Sequence, residues 1–110
     1  MYAIVDIETT GTNATYNCIT EVAIYVHDGD KIVDEWHSLI NPMREIPPFI
    51  IQMTGITNEM VADAPEFADV AEEIYTMLHD KRFVAHNAGF DYGFIKSHLL
   101  ENGYELKSKK

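Results

Sequence analysis

Three stretches rich in β-branched and aromatic residues fill most of the first forty positions of this 110-residue chain, ahead of any long helical pattern. Residues 2–8 alternate well enough for a strand, and residues 19–27, ITEVAIYVH, read as a second. After the turn signal Asp28-Gly29-Asp30, KIVDEWHSLI (31–40) reads as a third strand returning antiparallel. Such segments, joined by short turns, pair with their sequence neighbours. The chain therefore opens as a β-meander with strands 1, 2 and 3 side by side.

The pattern then breaks. NPMREIPP (41–48) carries three prolines, which disfavour helix and central strand alike, and FIIQM (49–53) follows as a short apolar piece. Thr57 is a good N-cap for a short helix, and Pro65 suits the first turn of a longer one. In that longer helix Phe67, Val70, Ala71, Ile74 and Leu78 form one apolar stripe, while Glu66, Asp69, Glu72 and Glu73 form a solvated face. RFVAHN (82–87) reads as a short strand feeding a final helix, with Asn87 as its cap and Gly103 closing it. The order βββ-α-α-β-α indicates an α/β domain with a mixed sheet. The right-handed crossover rule puts strand 4 beside strand 1 and parallel to it, giving the order 3-2-1-4.

At this length the chain is one domain at most. The single cysteine, Cys18, rules out an internal disulfide framework and fits a reducing compartment. With neither a basic-then-apolar leader nor an apolar run of bilayer length, a cytoplasmic protein without a membrane partner is expected. The formal net charge is −10, which argues against nucleic acid unless some acids hold divalent cations that reverse the local field.

Two of those acids stand out. Asp6 and Glu8 lie two apart at the end of strand 1, so they share a face about 6.6 Å apart along the backbone. They are either sheet-edge acids that cap neighbouring loops or ligands for hard cations such as Mg²⁺ or Mn²⁺. Asp91 sits one turn into the final helix, on the face of Phe94, Ile95, His98 and Leu99. The helix dipole favours an anion there, and the preceding strand is the one expected beside strand 1. Three carboxylates from two elements can then converge.

These segments resemble the DnaQ-like (DEDD-type) 3′–5′ exonucleases, the family that includes the proofreading epsilon subunit of bacterial DNA polymerase III. VDIETTG matches the first exonuclease motif and FVAHNAGFDYGFI the second, while LINPMREIPPFIIQMTGITNEMVADAPEF is similar to the family's linking segment. The resemblance runs from about residue 1 to 103. It implies an RNase H-like sheet whose fifth strand is missing here, and hydrolysis of terminal phosphodiesters to nucleoside 5′-monophosphates by two divalent ions. It implies metal ligation by Asp6, Glu8 and Asp91. It also implies a terminal nucleotide held around Ile7 and Thr9, walled by Met53 and Thr54, with His86 and Phe90 opposite and Gly11 turning the chain beneath it. For Met53 and Phe90, simple core packing is the other reading.

The family's third motif, a histidine five positions before a fourth aspartate on a later helix, is absent. His86 and Asp91 have that spacing, but their segment fits the second motif in register. His27, His37 and His79 read as surface residues and His98 as a packing residue. Residues 1–106 are therefore expected to be the N-terminal part of an exonuclease domain, and 107–110 a basic tail, frayed or cut short. Such a fragment should be nearly inactive, with an open sheet edge that invites self-association. The expected partners are a single-stranded DNA 3′ end, a polymerase or further domains of a longer chain. Two alternatives are an RNA-trimming relative and a non-catalytic nucleic-acid- or polymerase-binding module.

Overall fold

The computed structural model describes residues 1–107, so the rest of the basic tail, 108–110, lies outside the described residues. The three early segments form β1 (Tyr2–Thr9), β2 (Ile19–His27) and β3 (Ile32–Leu39). β4 (Arg82–Val84) completes a sheet of order β3-β2-β1-β4, antiparallel within the meander and parallel between β1 and β4. This is the expected order. A bulge interrupts β1–β2 after Glu8: Glu8 pairs with Glu21, but Thr9 pairs with Ile19, leaving Thr20 as the extra residue.

The alternation along β1 divides its residues between two environments. Ala3, Val5 and Ile7 are buried with Val22, Ile24 and Phe83 on one face, beneath the apolar stripe of α3 (Phe67–Leu78) and the inner side of α4 (Ala88–Glu101). Val70, Ala71, Ile74 and Leu78 are all buried, as the spacing predicts, and so are Phe94, Ile95 and Leu99. His98 packs between the rings of Phe67 and Phe94, at 5.6 and 5.8 Å between centroids. Tyr2, Ile4, Asp6 and Glu8 point to the opposite face, which no helix covers so closely.

Local structure departs from expectation at four places. The proline-rich break contains a helix, α1 (Pro48–Thr54), because Pro48 occupies its first turn, where a missing N–H costs nothing. Gly55, at φ 77°, ends α1 in the left-handed conformation. Thr57 does cap α2 (Asn58–Val61), its Oγ1 accepting the Met60 N–H at 3.2 Å. Pro65, by contrast, lies just before the Glu66 cap of α3 and not in its first turn. β4 stops at Val84 instead of running to residue 87, and Asn87 holds the cap position of α4 without a side-chain capping bond. Gly103, at φ 89°, follows the end of α4 in the left-handed region as expected.

A second apolar cluster, Ile46, Ile50, Ile56 and Val61, with Leu39 and Ile51 against it, anchors α1 and α2. No helix among the described residues is long and apolar enough to cross a membrane. Because Ile74 is wholly buried between sheet and helices, Ile74→Ala should cost about 2–5 kcal/mol in urea unfolding, whereas Glu72→Ala on the exposed face should stay within about 0.5 kcal/mol.

Candidate active site

The end of β4 opens the site. Its parallel ladder with β1 runs only to the Ile4–Val84 pair, so the same edge of β1 is free beyond that point. Asp91, buried in the first turn of α4, fills the gap: the Ile7 backbone N–H lies near enough to its carboxylate to favour the charged form. A side chain of the second motif thus takes the place of a strand along the first.

This placement brings the acids within electrostatic reach of one another. Burial is the main cause that pushes the Asp91 carboxyl above its ordinary range; the Ile7 amide pulls it back and the charge of Asp6 raises it again. Burial also raises Glu8 most, followed by the charges of Asp6, Glu21 and Asp91. Glu21 is an acid that the sequence reading missed. It stands directly across the ladder from Glu8, and like charges in that position repel. The signal was available in the meander register. His37, exposed as expected, bonds to Glu21 through Nε2 at 2.7 Å.

A cleft of about 570 Å³ lies beside the acids. Ile7, Glu8 and Thr9 form part of its floor, Met53 and Thr54 of α1 one wall, and Phe90 of α4 another. Six of the nine anticipated residues therefore line one cavity. Asp6, Asp91 and His86 are not among its lining residues; His86 is exposed, near enough to Asp91 to lower its pKa slightly. Met53 is 73% exposed and belongs to neither apolar cluster, so core packing does not account for it. Phe90 is different: it is half-buried against the core, its ring 5.0 Å from that of Phe94.

Gly11 also lines the cleft, within a bend of residues 10–12 that follows β1, but its φ lies outside the left-handed region. A Cβ there would come within 2.6 Å of the Asn17 side chain, which accepts a hydrogen bond from Thr10 Oγ1. Close approach, not backbone freedom, is what requires glycine. Phe49, also on the α1 wall, was missed because the prolines concealed the helix that carries it.

Comparison with known proteins bears on this geometry. A family model described as Exonuclease (RNase_T) matches residues 3–109. The chain belongs to this exonuclease family. The 3′-5′ exonuclease DinG of Staphylococcus haemolyticus (strain JCSC1435) is 42% identical over 109 residues, 99% of this chain, and that of Staphylococcus aureus (strain MRSA252) is likewise 42% identical over 109 residues. This exonuclease-family chain spans only 12% of the length of either relative. Among solved structures, exonuclease X in complex with 5′ overhanging duplex DNA is 30% identical, with a TM-score of 0.71 over 98% of this chain and 57% of that one. Exonuclease I of E. coli, in a complex with single-stranded DNA, is 19% identical with a TM-score of 0.85 over 94% of this chain and 24% of its own, a likeness of fold. The DnaQ-like resemblance and the RNase H-like sheet are both upheld.

The chemistry of the donor set suits a hard divalent cation: hard oxygen ligands whose ionised forms destabilise one another. Among the described residues, no three histidine, cysteine or acidic side chains are already drawn together as a metal cage.

Both resolved shifts at the site are upward, so the metal-free folded chain keeps protons that the unfolded chain has released. The contribution of these groups to stability is greatest near the ordinary carboxylate pKa of about 4 and declines as pH rises through the raised folded values. In thermal melts with a chelator, Glu8→Gln should raise Tm relative to the parent, by a margin that grows between about pH 5 and about pH 8. A margin independent of pH would contradict the repulsion.

Proposed function

We propose that this chain is the nucleotide- and metal-holding part of a 3′–5′ exonuclease that removes nucleoside 5′-monophosphates from single-stranded DNA ends. The observation that carries this reading is the gathering of Asp91, Asp6 and Glu8 within electrostatic reach of one another at the margin of the cleft. A non-catalytic module has no use for mutually repelling, partly buried acids, whose retention destabilises it.

Asp6, Glu8 and Asp91 would hold a pair of Mg²⁺ or Mn²⁺ ions. When bound, the ions supply an activated water and neutralise charge on the scissile phosphate. The rest of the work falls to the chain. The Ile7 amide positions Asp91, leaving its other oxygen lone pairs for ligation. Thr9, Thr54 and Met53 orient the terminal sugar and base, Phe90 closes the far side, and His86 stands at the outer margin near Asp91. No histidine in the 110 residues precedes an aspartate by five positions except His86, which the second motif already uses. Hydrolysis by these residues alone is therefore expected to be weak.

The relatives support DNA as substrate: exonuclease X is in complex with overhanging duplex DNA and exonuclease I with single-stranded DNA. Proofreading beside a polymerase, as in the epsilon subunit, is one setting for such a domain. A longer chain, as in the DinG relatives, is another and has the higher identity behind it.

Calorimetric titration with Mn²⁺ tests the metal reading. The parent should bind, and Asp6→Asn and Asp91→Asn should each weaken binding about tenfold or more, with the fold intact by circular dichroism. With a 5′-labelled oligonucleotide, any Mn²⁺-dependent products should shorten one nucleotide at a time from the 3′ end. An isotherm unchanged by Asp6→Asn would instead favour the binding module.

A further inference from the structure

The two long helices end at a cavity on the side of the domain away from the acids. It measures about 460 Å³ and is lined by Tyr75 and His79, at the close of α3, and by Tyr104 and Glu105, just beyond α4. At about 1.5 Å per helical residue, the length of α4 holds it about 20 Å from Asp91. The Tyr75 ring lies 5.1 Å from that of His79 and 5.2 Å from that of Tyr104, between centroids. Both tyrosines are half-buried against the main core, which fixes the aromatic wall in place. None of these residues takes part in the proposed hydrolysis.

The electrostatics of the cavity favour a cation. Aromatic faces attract one. Helix C-termini carry partial negative charge, and the last turn of α3 has no basic residue to offset it. Asp80 and Glu105 add carboxylates from two separate segments of the lining. Asp80 stands in the left-handed region, at φ 62°, and the nearest ring nitrogen of His79 is 3.1 Å from its Oδ2. An aliphatic amine already rests in the cavity: Lys107 Nζ lies 3.9 Å from Glu105 Oε1. Both partners of that pair are exposed, so the contact is weak and readily displaced.

The layout narrows the choice of cation. A bare metal ion wants its acids gathered, and no three acidic, histidine or cysteine side chains among the described residues are drawn together in that way. Two carboxylates and ring surface in one cavity suit instead a ligand with two positive ends and an apolar middle. We infer that the cavity binds a linear aliphatic diamine or polyamine, with its ammonium ends on Asp80 and Glu105 and its methylene chain against Tyr75 and Tyr104. Lys107 gives up Glu105 to the ligand. The bound amine ties the turn after α3 to the segment after α4.

Putrescine is the probe, followed by two-dimensional amide NMR in Mg²⁺ at physiological salt, which screens diffuse attraction to the net charge of −10. It should shift the signals of residues 79–80 and 104–105 saturably, and its own methylene protons should move upfield in the tyrosine ring currents. n-Butylamine, with a single ammonium, should bind several-fold more weakly. Asp80→Asn and Glu105→Gln should each weaken putrescine about threefold or more. Asparagine tolerates the left-handed backbone and both side chains are exposed, so these variants should fold, which circular dichroism checks. Asp63→Asn, which removes the same charge from an exposed site before α3, should leave the affinity unchanged. No saturable shift at residues 79–80 and 104–105, or an equal loss in Asp63→Asn, overturns the site. Equal affinity for n-butylamine overturns its two-ended form. The exonuclease reading stands or falls separately, on the acids of β1 and α4.

Discussion

The approach of the Asp91 carboxylate to the Ile7 backbone amide is the constraint on which the rest of the site depends. The room for it comes from β4, which is only three residues long. A longer β4 would occupy the edge of β1 with its own ladder, and Asp91 would have no amide to receive. With β4 stopped opposite Ile4, the start of α4 swings in against the exposed edge. Secondary structure that ends early thereby turns a sheet edge into a socket for a carboxylate.

The accumulation of acids at that socket is costly. Glu8 faces Glu21 across the ladder, and both Glu8 and Asp91 have raised pKa values. Negative charge is also abundant elsewhere, with a formal net charge of −10. Much of it is solvated, as along Glu72 and Glu73 of α3. The distinction between the two kinds of acid is burial: those on α3 are relieved by water, whereas those beside Ile7 repel one another through the protein. Only the second kind stands to gain from a neighbouring cation. The His37 ring meets the Glu21 carboxylate from β3, on the far side of that ladder.

Periodicity was sufficient to read the α3 stripe and the inward face of Asp91, since each follows from spacing along one element; the sheet order needed the pairing of neighbouring strands and the crossover rule as well. The residues that escaped were those whose placement depends on a neighbouring element or on an end effect. Glu21 becomes a site residue only through its register with β1. Phe49 becomes one only because Pro48, which ordinarily breaks helices, begins one. Asn87 and Pro65 show the same limit in reverse, with the right residue type near a helix start but without the expected bond or position. Gly11 was noticed for its backbone and proved to matter for the space it leaves to Asn17.

The bulge at Thr20 has a bearing on how this site tolerates change in length. One extra residue in β2 lets Thr9 pair with Ile19 while Glu8 still faces Glu21, so carboxylates and cleft floor are set by two registers one step apart. Deleting Thr20 would leave Thr9 opposite Ile19 and Glu8 opposite Glu21, so both registers would merge into one regular ladder with Ile19 still on the core side. The bulge itself would go, and with it the bond from the Ile40 N–H to the Thr20 carbonyl that ties the end of β3 to this point. The meander would still form, without the local bend that the bulge gives β2 beside the acids. Insertions and deletions should therefore be borne by the Asp28–Asp30 turn, at the far end of the sheet, far more readily than by this single threonine.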